Sequence, residues 1–233
     1  MSGAASAQET PLGAPRRPSV LPPGDRIQQM QQVAAALGVE CGYCHANLEQ
    51  RDRPTPLTAS GKPRFEVARE MFLMVDEINR SAQAATGKTA TEATRVQCVS
   101  CHRGVAIPKQ LSEVLTATAV QQGPAAAAAQ YRELRTRYYG RQAYDFSDQS
   151  VATFIERLAR IRPEAAVALI QVNLEYYPQS SLSYLVLGFA QTQTFEYYGA
   201  MESFRKALEL DPTNNSARGR LAQLESQYRR PSQ

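Results

Sequence analysis

The sequence is poor in cysteine, in histidine and in long apolar runs. Its 233 residues include four cysteines and two histidines, and 26 basic residues outnumber 22 acidic ones by only four. No segment approaches the ~18 consecutive apolar residues of a membrane span, so we expect no spanning helix. A net charge of +4 is too small to indicate a nucleic-acid-binding protein. With 43% hydrophobic residues the chain can still bury a core, which argues against wholesale disorder.

Every cysteine and histidine belongs to one of two copies of the pattern Cys-x-x-Cys-His. The first copy comprises Cys41, Cys44 and His45, and the second comprises Cys98, Cys101 and His102. On a helical turn, residues at i, i+3 and i+4 share a face, so each copy directs two thiols and one imidazole the same way. Two thiols at this spacing can form thioethers with one haem, while the adjacent histidine binds the iron. The sequence therefore predicts two covalently attached c-type haems.

Three other interpretations of the cysteine pattern are less favoured. Four thiolates could bind one zinc ion, but fifty-three residues between the two cysteine pairs are long for a zinc ribbon. A disulfide scaffold is poorer, because a chain of this length with a good core does not need covalent crosslinks. A thioredoxin-like redox pair needs a βαβ context, and no strand-like alternation surrounds either motif.

The sixth iron ligand is restricted because both histidines are already used as proximal ligands. Methionine, lysine, a terminal amine or an open site remain. Met30 lies on a predicted helix that leads into the first motif, whereas Met71 and Met74 both lie on the apolar stripe of the helix before the second. Periodicity alone cannot choose between Met71 and Met74. Ordinary core packing is the alternative role for each of these methionines.

His/Met ligation would favour reduced iron and give both haems relatively high potentials. Six-coordinate iron leaves no place for a substrate, so the pattern favours electron transfer over catalysis. The enzymatic alternative is a peroxidase-like protein with one open iron, but no spare histidine exists to act as a distal acid or base.

The sequence predicts an all-α fold with three regions. Residues 1–24 hold five of the fourteen prolines and predict a flexible tail in which no signal peptide is visible. Residues 25–115 predict a small dihaem domain with long loops. Residues 124–230 predict a domain of helical hairpins, in which ten of the eleven tyrosines lie.

The C-terminal region carries the spacing of a tetratricopeptide-like repeat, a 34-residue helix pair. The positions at this spacing are Tyr184, Leu187, Gly188, Ala200, Phe204, Ala207 and Pro212, followed by a capping helix over 216–228. Upstream, Ala166, Ile170 and Pro178 stand in register with Ala200, Phe204 and Pro212. The basic cluster of Arg132, Arg135, Arg137 and Arg141 predicts a solvated helix face.

Two segments resemble haem-binding units of the photosynthetic reaction-centre cytochrome subunit. One consists of VAREMFLMVDEIN (67–79) followed by VQCVSCHRG (96–104), and the other is LGVECGYCH (37–45) with the preceding Met30 helix. The resemblance covers about 25–108 and implies that Met30 serves the first haem and Met71 the second. Met71 stands in the Ala-Arg-x-Met position, so Met74 is the neighbouring non-ligand. The usual member of that family has four haems and lacks a repeat-like tail.

These features together predict an exported, non-enzymatic electron carrier. Because haem attachment of this kind happens outside the cytoplasm, the resemblance implies a periplasmic or otherwise extracytoplasmic location. The expected partners are a redox donor and acceptor, in a photosynthetic reaction centre or a respiratory chain, with the repeat-like tail as a docking platform. The remaining alternative is a repeat adaptor stabilised by structural zinc.

Overall fold

The computed structural model describes residues 20–21, 23–45 and 55–228. Within them the protein is all-α: ten α-helices and a short 3-10 turn are present, and extended pairing is limited to an isolated bridge between Leu57 and Pro63. The predicted fold class is confirmed. The chain forms two compact units, Met1–Cys101 and His102–Gln233. Most of the predicted tail, 1–24, lies outside the described residues.

The first unit begins with helix α1, Arg26–Leu37, and a 3-10 turn, Cys41–Tyr43. Asp25 caps α1, because its carboxylate accepts from the backbone N–H groups of Ile27 and Gln28. Gly38 ends the helix with a left-handed φ of 65°, where a glycine carries no steric penalty. The helix that was predicted to lead into the first motif is therefore present, with a cap at each end.

Helix α2, Arg64–Thr86, is the longest element of the first unit. A loop then leads to the short helix α3, Cys98–His102. Helix α3 ends before Arg103 and Gly104, which adopt left-handed φ values of 48° and 85°. Among the described residues of this unit only Ala36 and Asn79 are buried, so this described part supplies almost no core of its own.

The second unit is a stack of helical hairpins. Its helices are α4 (Leu111–Gln122), α5 (Pro124–Tyr138), α6 (Asp148–Ala159), α7 (Pro163–Tyr176), α8 (Ser181–Gln193), α9 (Tyr197–Leu210) and α10 (Asn215–Gln227). Successive helices pack as the pairs α4–α5, α6–α7 and α8–α9, and α10 packs on α9. One continuous hydrophobic core runs from α4 to α8, and a smaller cluster joins α9 and α10.

Small residues allow the last hairpin to close tightly. Gly188 on α8 lies so near Phe204 on α9 that a Cβ atom added there would stand 2.6 Å from the aromatic ring. Ala200 and Ala207 on the same helix are fully buried. These are residues of the predicted repeat, although the assignment to a tetratricopeptide-like class stays a prediction, as do the boundaries at 115 and 124.

The prediction of a solvated arginine face is wrong for Arg135, which is only 7% exposed. Its guanidinium donates to the backbone oxygen of Phe146 at 3.1 Å and lies 4.2 Å from the ring centre of Tyr176. The positive charge is stabilised by aromatic faces and a carbonyl, which spacing along the sequence does not reveal.

In the part of the chain that the structure describes, none of the helices combines the length and the apolar character that a membrane span requires.

Candidate haem sites

The first motif folds as a single helical turn. The backbone N–H groups of Cys44 and His45 both donate to the oxygen of Cys41, at 3.3 and 3.1 Å. This geometry combines a 3-10 and an α-helical hydrogen bond, so the two thiols and the imidazole follow the i, i+3, i+4 spacing that the sequence predicted.

Arg64 links this turn to the beginning of α2. Its guanidinium lies 4.1 Å from the ring centre of Tyr43, and its Nε donates to the backbone oxygen of Leu57 at 3.1 Å. Tyr43 stands between the two cysteines, so the cation–π contact restrains the turn that carries them. Sequence reasoning had given Arg64 no role, because its partners are distant along the chain.

A cavity of about 620 Å³ opens beside the first motif. Its walls come from the segment before α1, from α1, from the motif and from the first half of α2. The lining residues include Met30, Val33, Ala34, Leu37, Cys41, Cys44, His45, Phe65, Ala68, Arg69 and Phe72. The structure therefore brings the predicted ligands of the first haem together on one cavity, although their role as ligands stays a prediction.

The chemistry of this cavity fits a haem. Its volume is within the usual 300–1,000 Å³ of cofactor pockets. The walls are mostly apolar, two thiols and one imidazole lie at the edge, and Met30 offers a thioether. The imidazole of His45 stacks on Phe65 with 6.3 Å between ring centres. Arg69 adds a guanidinium, which suits the carboxylate substituents that a haem carries.

Helix α2 presents different faces to different surroundings. Phe65, Ala68, Arg69 and Phe72 line the first cavity, whereas Met71 and Met74 are absent from its described lining. Both methionines are partly exposed, at 40% and 46%, and Ile78 on the same stripe is 39% exposed. The described polypeptide therefore covers these apolar side chains only in part, and they form a partly exposed apolar face on α2.

The second motif forms helix α3 and is tied to α2 just before it begins. The backbone N–H of Val96 donates to Oδ1 of Asn79 at 2.7 Å, and Nδ2 of Asn79 donates to the Val96 oxygen at 2.9 Å. Val96 is two residues before Cys98. One asparagine side chain therefore fixes the entry of the second motif on the helix that bears Met71 and Met74.

The imidazole of His102 is oriented by a backbone carbonyl. Its Nδ1 lies 3.0 Å from the oxygen of Val105. A carbonyl can only accept, so this bond places the ring proton on Nδ1 and leaves Nε2 as the lone-pair donor. Metal-binding histidines use such a bond on the second nitrogen to set the tautomer and the ring direction. Val105 packs against the core of the second unit, and Arg103 donates to the backbone oxygen of Gln142 at 3.0 Å.

Burial raises the pKa of the Cys44 and Cys98 thiols above their ordinary value. For Cys44 the nearby Arg64 guanidinium acts in the opposite direction, but desolvation is the larger cause. Both groups are therefore protonated thiols at neutral pH. All four cysteines are free rather than paired in disulfides.

The zinc alternative receives no support from this geometry. Among the described residues, no three side chains of His, Cys, Asp or Glu converge where they could hold a metal ion. In the described structure the two cysteine pairs therefore do not form one tetrahedral site.

The fold and the motifs define an all-α protein with c-type haem attachment sequences. Comparison with protein families identifies the photosynthetic reaction centre cytochrome C subunit, whose model matches residues 57–188. This match covers more than half of the chain, and the protein belongs to that family. The family is one of c-type cytochromes that carry electrons and are not enzymes in general. No curated protein matches the sequence significantly.

The extent of the match differs from the resemblance found in the sequence, which covered about 25–108. It includes Met71, Met74 and the second motif, and it continues through α7 into α8. The first motif and Met30 lie outside it. The matched region thus reaches well into the second unit, whereas the resemblance in the sequence ended before it.

Proposed function

We propose that this protein is a dihaem electron carrier that relays single electrons between redox partners outside the cytoplasm. Cys41 and Cys44 would hold one haem through thioethers, and His45 and Met30 would bind its iron. Cys98 and Cys101 would hold the other, and His102 and Met71 would bind its iron. The observation that carries the proposal is the cavity that brings Met30, Cys41, Cys44 and His45 together.

When bound, each haem supplies an iron that accepts and releases one electron. The polypeptide supplies the rest. Covalent thioethers would hold the cofactor where the described part of the first unit has almost no core, and the first cavity would surround it with mostly apolar walls. A thioether ligand and an apolar surrounding both favour the reduced iron, so these residues would give the group a relatively high potential.

The geometry of α2 favours Met71 over Met74 at the second site. With about 100° of rotation per residue, Met71 stands about 80° around the helix from Asn79, whereas Met74 stands about 140° away. The second motif is anchored at Asn79, so Met71 projects nearer to the side on which the motif begins. This supports the assignment that the family resemblance implied.

Helix α2 also belongs to both proposed sites. Its first half lines the cavity of the first motif, and the same continuous helix carries Met71 and the Asn79 anchor. A shared rigid element holds two cofactor sites at a constant separation. A fixed separation is what a one-electron relay requires, because the rate of electron tunnelling falls exponentially with distance.

The second unit would act as a docking or assembly platform. Its stacked hairpins are the kind of helical surface that other repeat proteins use to hold partner segments. The expected partners are a redox donor and acceptor, in a membrane-bound reaction centre or a respiratory complex. An extracytoplasmic location follows from the place where haem c is attached.

The test is to produce the chain with an export signal in a host that matures c-type cytochromes. We expect the mass of two added haems and a low-spin His/Met spectrum that carbon monoxide and cyanide perturb only slowly. Ready binding of either ligand would instead indicate the open iron of a haem enzyme. A colourless protein with the mass of the bare polypeptide would refute the proposal.

Methionine variants test the ligation directly. Met30→Leu and Met71→Leu should each convert one of the two haems to a high-spin form. Met201→Leu is the matched control, because Met201 is buried in the second unit at 6% exposure and should leave the spectrum unchanged. A high-spin haem in Met74→Leu rather than in Met71→Leu would show that the second assignment is wrong.

A further inference from the structure

Asn79 is the one buried polar side chain among the described residues of the first unit, at 7% exposure. The oxygen and the nitrogen of its side-chain amide both form hydrogen bonds with the backbone of Val96. The acceptor and the donor are each satisfied, at 2.7 and 2.9 Å, within the normal range for such bonds. A buried amide with two good partners is costly to leave unpaired, so it specifies a single position for the paired segment.

The paired segment is the entry to the second motif. Val96 is followed by Gln97 and then by Cys98, the first residue of α3. Helix α2 is continuous from Arg64 to Thr86, so Asn79 and Met71 are eight residues apart on one rigid element, about 12 Å along its axis. The Asn79 side chain therefore determines where the motif stands along and around α2 relative to Met71.

This restraint matters because little else holds the two parts together. The first unit has almost no buried core among its described residues, and the described polypeptide covers the methionine stripe of α2 only in part. Seventeen residues lie between Asn79 and Gln97, and most of the loop after α2 is exposed. Without a defined contact, such a loop would allow α3 to shift along α2, and a shift of one turn would be about 5 Å.

We propose that Asn79 is a positioning residue for the second haem: by pairing with Val96 it fixes α3 on α2 so that the bound iron meets the sulfur of Met71. Asn79 touches neither the iron nor the thioethers in this role. It acts through the backbone, and it determines which methionine is the ligand and how completely that ligand is bound. The inference rests on the proposed function, because it requires a haem at the second motif.

The experiment compares the two-haem wild-type protein with Asn79→Ala and Asn79→Asp. Alanine removes both hydrogen bonds, and aspartate keeps the acceptor for the Val96 N–H while it loses the donor. We expect Asn79→Ala to shift the equilibrium between methionine-bound and methionine-free second haem at least about tenfold toward the free form, as the loss of two hydrogen bonds implies. Asn79→Asp should lie between alanine and wild type.

The readouts are the methionine-to-ferric-iron absorption, the high-spin signal in electron paramagnetic resonance, and the midpoint potential of each haem. The first haem is the internal control, because its proposed ligands lie outside the Asn79–Val96 contact. Ser81→Ala is the matched variant: Ser81 is exposed on the same helix and its hydroxyl bonds only to the Glu77 side chain, at 3.5 Å. It should change neither haem.

Several outcomes would overturn the inference. One is an Asn79→Ala protein in which both haems keep wild-type spectra and potentials. Another is equal perturbation of both haems, or loss of helical structure in both Asn79 variants, since either would indicate a general role in stability. Loss of the second haem from both variants would assign Asn79 to cofactor attachment instead. Failure of the proposed function is recognised separately, because the wild-type protein would then lack the mass of a second haem.

Discussion

Replacement of Asn173 by leucine should destabilise the second unit more than most single substitutions. Asn173 is fully buried on α7 and connects three other helices. Its Oδ1 accepts from the Tyr131 hydroxyl at 2.7 Å, and its Nδ2 donates to Asp148 at 2.7 Å and to Ser183 at 2.9 Å. Leucine has a similar size but makes none of these hydrogen bonds.

The magnitude follows from the groups that leucine would leave behind. The Tyr131 hydroxyl would be buried without this acceptor, which costs about 1–3 kcal/mol. The bond to the Asp148 carboxylate is charge-assisted, and its loss costs about 1.5–3 kcal/mol more. The Asp148 carboxylate still accepts hydrogen bonds from the Ser180 and Ser183 hydroxyls, both at 2.6 Å, so it is not left without partners. We therefore expect the free energy of unfolding to fall by about 3–5 kcal/mol.

Urea unfolding followed by circular dichroism measures this change, with Asn215→Leu as the control. Asn215 is exposed on α10, and its substitution should alter stability by less than about 0.5 kcal/mol. A double-mutant cycle adds a sharper test. Tyr131→Phe removes the hydroxyl that Asn173→Leu orphans, so the double variant should lose about 1–2 kcal/mol less than the two single losses combined. A single-variant loss below about 1 kcal/mol, or strictly additive effects, would refute the reasoning.

Three further predictions concern the same unit. Gly188→Ala should lower the stability of the second unit by about 1–3 kcal/mol in thermal unfolding, because the new methyl group would stand 2.6 Å from the buried Phe204 ring. The control is Gly219→Ala, which should be neutral or stabilising because no atom lies within 4 Å of the added Cβ. Equal effects of the two variants would contradict the packing argument. Burial raises the pKa of the Tyr131 hydroxyl above its ordinary value, so the contribution of Tyr131 to stability is complete below about pH 10 and declines as the pH rises further. Tyr131→Phe should therefore flatten the alkaline part of a profile of unfolding free energy against pH. An unchanged profile would show that other groups cause the alkaline loss of stability. Arg135→Lys should lower the free energy of unfolding by about 1–3 kcal/mol although the charge is kept, because lysine cannot reproduce a planar guanidinium among aromatic rings. Urea unfolding measures this loss, and a wild-type urea midpoint would show that the charge alone is sufficient.

The helices of the first unit were largely predictable because their signals are local. Asp25 and Gly38 bound α1 through hydrogen bonds to their own neighbours, and Arg103 with Gly104 ends α3 through backbone conformation alone. Likewise, the i, i+3, i+4 spacing of each motif needs only one helical turn. Such signals act over a few residues, so a single sequence is enough to read them.

The supports of the haem sites were not predictable in the same way. Asn79 and Val96 are seventeen residues apart, and Arg64 contacts Tyr43 across twenty-one. Neither asparagine nor arginine at these positions carries a local pattern that distinguishes it from a surface residue. The Arg135 error has the same origin, because Phe146 comes from a loop and Tyr176 from α7, although Tyr139 is only four residues away.

What the sequence determined by itself is the chemistry: two thiol pairs, each followed by a histidine, and methionines on the helices before them. Covalent connectivity and helical periodicity suffice for that conclusion. The tertiary structure decided which groups share a site. It placed Met30 with the first motif on one cavity, turned Met71 and Met74 away from that cavity, and anchored the second motif at Asn79. Only packing between distant segments fixes which side chains meet at a site, because the residue spacing within one helix does not determine how that helix is rotated against another.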